Sequence, residues 1–369
     1  MERTISKKLI RAHVLSTYPM ADASRRLRIE PLVAEMQSRG IDVHVHELLS
    51  SKAFARKNGS IADRLYAMSI LLTRIFSRLF FVLRSCDILL VHREAFPFFT
   101  PELERFVTKK CAVSILDVDD AIYTIPTHTR DWRRLFRKPE KSLEFSKLFD
   151  LIFCGNEMLQ DSFGSNRAIA ELYPTCPPSQ TFDITRKEEG KMGLLWTGSQ
   201  STLGSLKAVM PDVLRICEEK DLQLYVLGGA NVSELQPHPR LSPARWSNEA
   251  EQELLGIASI GLMPLPDTEW ERGKSGYKAI LYLCAGMHAL VSPVGINRKL
   301  CDEYTAVTAC AEPDWASSLR NIVEEISHSK GGDNSQNLAR LSFDSSANAV
   351  RAVDTIIAKL EQTSPPSRS

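Results

Sequence analysis

Residues 260–295 read IGLMPLPDTEWERGKSGYKAILYLCAGMHALVSPVG, and this stretch decides how the rest of the chain is interpreted. An apolar run is followed by a polar loop that contains GKSG at 273–276, and a helix-period segment then covers 277–285. Gly286 is a helix stop signal, and a second β-type run follows at 289–294. Strand, glycine-bearing loop, helix and strand together predict one βαβ unit.

The loop of this unit is a candidate anion site. Backbone N–H groups at Gly273, Ser275 and Gly276 would lie at the positive end of the following helix. Lys274 and Lys278 are four residues apart, so both can lie on one face of the first helical turn. Lysines oppose the helix dipole there, which indicates a missing anion. Solvated surface lysines remain the alternative interpretation.

Size and composition favour two ordinary domains of a globular protein. The chain has 369 residues, 43% of them hydrophobic and 25% charged, with a formal net charge of +1. The charge gives no indication of a nucleic-acid partner. Eight cysteines without a C-x-x-C pair suit a reducing cytosol. The N-terminus reads as a strand rather than a signal peptide, and no apolar run reaches the ~20 residues that cross a bilayer.

Strand-like runs alternate with helical patterns in two series. The first series is 12–17, 42–48, 87–92, 112–117, 151–154 and 170–173, and the second is 193–197, 223–227, 258–265, 289–294 and 306–310. This alternation predicts an α/β chain with two Rossmann-like domains facing a cleft. We place the domains at 1–180 and 190–345, with a polar linker within 179–191, a C-terminal helix at 346–361 and a disordered tail at 362–369.

The whole 260–295 stretch resembles the donor-site segment of the family 4 (group 1) retaining glycosyltransferases. The matching residues are Met263, Pro264, Leu265, Pro266, Asp267, Trp270, Gly273, Lys274, Lys278, Gly286, Ser292, Pro293, Val294 and Gly295. The resemblance implies the GT-B fold, in which two Rossmann-like domains enclose a cleft and the last helix crosses back to the first domain.

The same resemblance assigns a second donor-binding segment to the strand–turn–helix at the start of the second domain. In the family, a W-T-G-S turn faces the diphosphate of the donor, and here it is Trp196, Thr197, Gly198 and Ser199. Turn N–H groups and a serine hydroxyl can hold phosphate oxygens. An ordinary turn between strand and helix is the alternative.

The chain departs from the wider family at two places. Most members carry two glutamates separated by seven residues, whereas this chain has Gly273 and Leu281 at those positions. The arginine and lysine that usually follow the turn are replaced by Ser199 and Gly204. Lys274 and Lys278 could restore the lost charge, so we take them as candidate catalytic cations. Whether Asp267 or Glu269 replaces the missing carboxylates stays open.

In the first domain, carboxylates follow two predicted strands. Arg93 and Glu94 end one strand, and Asp119 and Asp120 end the next, in patterns that resemble signatures of this branch of the family. We take both aspartates as candidate catalytic groups, with Arg93, Glu94 and Arg26 on the acceptor side. Helix caps and an internal ion pair with Arg93 form the alternative. No metal and no cofactor is expected.

Residues 64–84 (RLYAMSILLTRIFSRLFFVLR) read as an amphipathic helix. A helical wheel gathers Arg64, Arg74, Arg78 and Arg84 on one side, which would suit an anionic membrane surface. A second basic cluster follows at Arg130, Arg133, Arg134, Arg137, Lys138 and Lys141. The alternative is a helix that packs on the first sheet and points its arginines into solvent.

These patterns predict a metal-independent enzyme of the cytoplasm or of the inner face of the membrane. It would move a sugar from a nucleoside diphosphate donor to a glycan or lipid-linked acceptor, with retention of configuration. The missing glutamates motivate one alternative, a catalytically silent nucleotide-sugar binding partner. The shared two-domain architecture motivates another, a sugar-nucleotide 2-epimerase.

Overall fold

The computed structural model describes residues 9–57, 59–82, 86–97, 100–125, 140–164, 169–185, 192–310, 314–328 and 334–363. The chain forms two compact units. Unit 1 comprises Met1–Thr175 and Ser345–Ser369, and unit 2 comprises Cys176–Asp344.

Unit 1 is built on a parallel sheet with helices on both faces. In chain order its elements are β1 (Arg11–Ser16), a π turn (Arg25–Ile29), α1 (Glu30–Ser38), β2 (Asp42–Glu47), α2 (Ser51–Arg56), α3 (Ile61–Val82), β3 (Cys86–His92), α4 (Glu102–Thr108), β4 (Cys111–Val118), α5 (Glu140–Ser146), β5 (Leu151–Cys154), α6 (Glu157–Phe163), β6 (Ile169–Leu172) and α14 (Ser345–Thr363). Within the described ranges the strands lie in the order β2-β1-β3-β4-β5-β6, all parallel.

The last helix returns to unit 1. Its apolar residues recur at helical spacing, and Ala352, Val353, Ile356 and Leu360 join the core that covers one face of the sheet. That core also contains α1 residues such as Leu32. The expected crossing of the C-terminal helix is therefore found.

Unit 2 repeats the architecture. Its elements are β7 (Gly193–Thr197), α7 (Leu203–Glu219), β8 (Gln223–Gly228), β9 (Leu241–Arg245), α8 (Asn248–Ile257), β10 (Ile260–Met263), α9 (Glu269–Arg272), α10 (Tyr277–Cys284), β11 (His288–Val291), α11 (Ile296–Glu303), β12 (Val307–Ala309), α12 (Trp315–His328) and α13 (Ser335–Phe343), with 3₁₀ turns at Ser179–Asp183 and Ala230–Glu234. In the described part of this unit, the parallel strands run β12-β11-β10-β7-β8-β9.

The predicted α/β class with two Rossmann-like sheets is confirmed, and one strand was missed. β9 carries Pro243 and alternates in burial, and it lies at the sheet edge, where a residue without an N–H is tolerated. The segment expected to be linker also differs, because Phe182 packs in the core of unit 2. Residues 186–191 of that segment and 364–369 of the predicted tail lie outside the described residues.

The prediction that the arginines of α3 face outward is wrong for Arg78. Arg78 is 2% exposed and donates to the carbonyls of Ser16, His46 and Ala95. Arg74 donates to the carbonyl of Glu47. Strand ends offer carbonyls that can hold a guanidinium, so these arginines point inward. Lys141 of the second cluster is also buried, beside Glu104, whereas Arg84 and residues 130–138 lie outside the described ranges.

Candidate functional site

The indole of Trp196 organises the candidate donor site of unit 2. It is fully buried at the end of β7, and the Nζ of Lys278 lies 5.2 Å from its ring centroid. A lysine over an indole face gains a cation–π attraction. Because β7 and β10 are parallel neighbours, the turn after β7 and the loop after β10 leave the sheet at the same edge.

The surroundings of Lys278 destabilise the charged form of its side chain. Burial, and then the nearby charge of Lys274, lower the pKa of Lys278 to about 7. In the described part of the chain, no carboxylate lies within ion-pair distance of its ammonium group, although Glu271 acts weakly in its favour. A phosphate group at this position would supply the absent negative charge.

Lys274 has a partner that the sequence analysis did not weigh. It forms an ion pair with Glu271, which is 5% exposed and stands three residues earlier. The signal was present as Thr268-x-x-Glu271 at a helix start: the Thr268 hydroxyl accepts from the Glu271 N–H at 3.3 Å. Glu271 is thus the carboxylate that accompanies the two lysines.

The two carboxylates considered from sequence lie farther out. Asp267 is exposed, and its carboxylate accepts from the Arg272 Nε at 2.6 Å, with Arg298 at 3.9 Å. The hydrogen bond from Arg272 lowers the pKa of Asp267. Glu269 is exposed in the first turn of α9. The structure brings neither of them to the lysine pair.

Glycines allow two loops of the site to pack tightly together. Gly295, with φ +58°, approaches the carbonyl of Arg272 so closely that a Cβ would lie 2.3 Å from its oxygen. Gly276, with φ +66°, lies against Ile296 in the same manner, at 2.6 Å. Both positions need a residue without a side chain for conformation as well as for space. Ser275, which immediately precedes Gly276, is buried as well.

Hydrogen bonds tie the same two loops together. The Ser292 hydroxyl accepts from the Leu265 N–H at 2.9 Å, and the Asn297 amide donates to the Ser292 carbonyl at 3.0 Å. Gly273 is buried at the end of α9. The segment that carries both lysines is therefore held on one side by the loop after β11.

The turn after β7 is shaped by its glycine. A Cβ on Gly198 would meet the Trp196 ring at 2.6 Å, so this residue lets the chain pass over the indole. Ser199 is exposed, and its hydroxyl lies 2.8 Å from that of Ser201. The same indole thus contacts the turn and the lysine of α10, which places the two predicted donor segments in one site.

The predicted acceptor residues of unit 1 form a charged network. Arg93 donates to both carboxylate oxygens of Asp119, at 2.7 and 2.8 Å, and to Asp120 at 2.7 Å. Ser24 donates to Asp119 and lies 2.8 Å from His92. Burial alone would raise the pKa of Asp119, but Arg93 and His92 hold it well below its usual range.

Arg93 adopts an uncommon backbone conformation. Its φ is +65°, and its N–H donates to the Asp117 carbonyl at 2.8 Å. Non-glycine residues with positive φ cluster at functional sites. The internal ion pair weighed as an alternative is present. Within the described residues it joins Arg93 to Asp119 and Asp120 and does not include Glu94, which is half-buried.

Of the three arginines that follow β1, Arg26 and Arg28 have different surroundings. Arg26 is half-buried and donates weakly to the Met20 carbonyl, at 3.4 Å. Arg28 is fully buried and forms an ion pair with Asp117, while its Nη1 donates to the Tyr173 carbonyl. Asp117 and Arg28 thus form a buried ion pair in the interior of unit 1.

Neither a metal-binding cluster nor a membrane-spanning helix occurs among the described residues. The described residues contain no cluster of three or more His, Cys, Asp or Glu side chains arranged to hold a metal ion. Among the same residues, every helix is too short or too polar to cross a membrane.

Comparison with known proteins extends the fold assignment. No family model matches the chain, and no curated protein matches it in sequence. Among solved structures, it is similar to a glycosyltransferase from Rickettsia africae (TM-score 0.65, 11% identity, 97% of this chain and 100% of that one).

Two further structures are similar over nearly the whole chain. One is a Listeria monocytogenes protein described as a UDP-N-acetylglucosamine 2-epimerase (TM-score 0.60, 14% identity, 97% and 98% covered). The other is HepE from Anabaena, in complex with UDP and glucose (TM-score 0.59, 10% identity, 95% and 100% covered). At these identities the likeness shows the two-domain GT-B fold.

Proposed function

We propose that this protein is a glycosyltransferase of the family 4 type, which moves a sugar from a nucleoside diphosphate donor to an acceptor hydroxyl with retention of configuration. The observation that carries the proposal is Lys278, a half-buried cation with a lowered pKa, held over Trp196 beside a loop fixed by glycines. A binding site for a dianionic diphosphate explains why such a lysine is retained.

The leaving diphosphate is the group on which negative charge develops during transfer. Lys278 and Lys274 lie where fixed positive charge would stabilise it, and the turn after β7 adds the hydroxyl groups of Ser199 and Ser201. The diphosphate, once held, takes the proton from the incoming hydroxyl. No metal is needed in this scheme, so we expect turnover to persist in EDTA.

Glu271 has a positioning role in this scheme. Its carboxylate fixes the Lys274 ammonium and offers an acceptor near the donor. Asp267 contributes to donor binding indirectly, because its carboxylate accepts a hydrogen bond from Arg272 and so fixes that guanidinium at the loop surface. The remaining donor groups, Gly273, Ser275 and Gly276, supply the backbone of the loop.

The acceptor is a glycan or a lipid-linked sugar, and unit 1 contacts it. Asp119 and Asp120 are our candidates for the groups that orient the acceptor hydroxyl, with Arg93, Glu94 and Arg26 around them. We place the reaction in the cytoplasm, at the inner face of the membrane.

A donor-hydrolysis screen over nucleoside diphosphate sugars tests the proposal. We expect slow release of nucleoside diphosphate from one donor, and Lys274→Ala should reduce it by at least about tenfold, or ~1.4 kcal/mol in the barrier. Lys299→Ala, an exposed lysine of the same unit paired with Glu303, is the control. Wild-type activity in Lys274→Ala would remove the lysine from the site.

The 2-epimerase is the second candidate, and the Listeria structure favours keeping it. The products separate the two reactions, because an epimerase returns a sugar that still carries its nucleotide. A silent partner protein would bind donor, as shown by thermal shift, and release nothing.

A further inference from the structure

Unit 1 contains a cavity that no residue of the donor site lines. Its volume is about 530 Å³, within the range of small-molecule binding sites. It lies along the edge strand β2, between α1 and α3. β1 and β3 separate β2 from β4, so β2 and β4 are about 14 Å apart across the sheet. The cavity is therefore distinct from the acceptor candidates Asp119 and Asp120, which follow β4 and do not line it.

The cavity has a charged wall and an apolar wall. Five charged side chains line it: Arg25, Arg74, Arg78, Glu30 and Glu47. Met20, Val33 and Val45 supply apolar surface. His46 also lines the cavity, but burial and the neighbouring charges lower its pKa to about 4, so it is neutral near pH 7. Three guanidinium groups thus face two carboxylates.

Arg25 is a buried cation with an unused donor. Its side chain lies in the π turn after β1, and the residue is 2% exposed. Its Nη1 donates to the Glu30 carboxylate at 2.9 Å, whereas its buried Nε has no hydrogen-bond partner among the described residues. A buried N–H without an acceptor is costly, and an acceptor on a ligand in the cavity would remove that cost.

The two arginines of α3 are held by neutral groups. Arg78 donates to three backbone carbonyls and Arg74 to one, and within the described residues neither has a carboxylate at ion-pair distance. Burial, and then the charge of Arg74, lower the pKa of Arg78 to about 9. Burial also raises the pKa of Glu47, against the opposing effect of Arg25 and Arg74. The positive charge of this wall is therefore incompletely balanced.

We infer that this cavity binds the phosphate monoester of a small organic molecule, such as a sugar phosphate. A guanidinium presents N–H groups in a planar fork that matches phosphate oxygens, and the dianion would balance Arg74 and Arg78 while accepting from the Arg25 Nε. The cavity is larger than a phosphate group needs, and Val33, Val45 and Met20 can contact the organic part. This site goes beyond the proposed function, because all of its residues lie in unit 1.

Calorimetric titration of the full chain at pH 7 tests the inference, with glucose 1-phosphate as the probe. We expect glucose 1-phosphate to bind, inorganic phosphate to bind more weakly, and glucose to give no signal. Arg74→Gln should weaken binding of glucose 1-phosphate by at least about tenfold, since a charge-assisted hydrogen bond is lost. Arg25→Gln should do the same, and Arg74, which is only half-buried, provides the test if the Arg25 variant does not fold.

A gain of affinity separates ligand binding from a structural role. Glu47→Gln removes a carboxylate that faces the cavity, so this variant should bind the probe more tightly than wild type. Arg39→Gln is the matched control, because Arg39 does not line the cavity and already pairs with Glu35 and Asp354. It should bind the probe like wild type.

The donor site provides the second comparison. Lys274→Ala should leave binding of glucose 1-phosphate unchanged, and Arg74→Gln should leave donor hydrolysis unchanged, so failure of this inference and failure of the transferase proposal are distinguishable. The inference is overturned if wild type binds no glucose 1-phosphate, if Arg74→Gln binds it equally well, or if Lys274→Ala abolishes the binding.

Discussion

Lys278 stands in surroundings that stabilise its neutral form, and this has a measurable consequence for the fold. Its pKa is lowered to about 7 by burial and by Lys274, from an ordinary value of 10.5. An unfolded chain hydrates the same ammonium fully. Lys278 therefore lowers the free energy of unfolding at any pH where its side chain stays charged.

We expect Lys278→Met to raise the melting temperature while lowering donor turnover by at least about tenfold. Methionine keeps the apolar stem over the Trp196 ring and removes the opposed charge. Thermal unfolding without ligand and donor hydrolysis measure the two effects. Lys299→Met, at an exposed site, should change neither. A destabilised Lys278→Met with full activity would contradict both the burial argument and the donor site.

The lowered pKa of Lys278 also makes the free energy of unfolding depend on pH. Between pH 7 and 10.5 the unfolded lysine binds more protons than the folded one, so this residue's contribution to stability rises with pH across that window. The stability difference between wild type and Lys278→Met should be largest below pH 7 and fade toward pH 10.5. Unfolding curves of both proteins at several pH values measure it. A constant difference would place the lysine in ordinary solvent.

Donor affinity should change with pH in the opposite direction to stability. A diphosphate beside Lys278 would return its pKa toward the ordinary value, so binding takes up a proton above pH 7. Affinity should fall as pH rises from 7 toward 10. Calorimetry in buffers of different ionisation enthalpy counts the proton, and Lys278→Met should take up none. Proton-neutral binding by wild type would exclude a phosphate at this lysine.

The sequence pattern selected both lysines of the candidate site and missed the carboxylate beside Lys274. The spacing of Lys274 and Lys278 follows from helix geometry alone, and the indole beside Lys278 came from a family resemblance. Glu271 was missed because Lys274, its partner, lies beyond the end of α9, so the ion pair depends on how the chain turns at Gly273. A buried arginine such as Arg78 is missed for a similar reason, since a helical wheel separates two faces without saying which one meets the sheet.

At the scale of elements, the packing of the loop after β10 against the loop after β11 is the feature that sequence alone describes least. Each glycine is visible in the sequence, but the contact of Gly295 with Arg272 joins residues from different loops. Long apolar runs predicted the buried strands because both faces of a parallel sheet are covered. The edge strand β9 lacks that signal.

Gly295→Ala tests whether loop packing is required. The new methyl group would lie 2.3 Å from the Arg272 carbonyl oxygen, at a φ of +58°, so we expect a loss of roughly 3 kcal/mol or more. Gly40→Ala has a similar φ of +77° and open space around it, and should cost only about 1 kcal/mol. Denaturant unfolding measures both. Equal losses would show that backbone strain alone, without the clash, governs Gly295.

At the scale of the whole molecule, α14 follows unit 2 in the chain but packs in unit 1. Ala349, Ala352, Val353, Ile356 and Leu360 of α14 are buried in the core of unit 1. Sequence pattern identified this helix as amphipathic, and only the family resemblance indicated where its apolar face would pack. Contacts between residues so distant in sequence leave no local signal, so periodicity could not have assigned the helix to one sheet or the other.

Removing residues 345–369 should therefore unfold unit 1 selectively. The loss of Val353, Ile356 and Leu360 amounts to roughly 5–9 kcal/mol of apolar burial as an upper estimate, comparable with the whole stability of a domain. Hydrogen exchange should show unit 1 strands β1, β3 and β4 losing protection while β7, β10 and β11 of unit 2 keep theirs. Because the lysines and the indole lie in unit 2, donor should still protect that unit against heat. A chain cut after Thr363 retains α14 and serves as the control. Undiminished protection of β1 and β3 in the shorter chain would mean that unit 1 folds without its final helix.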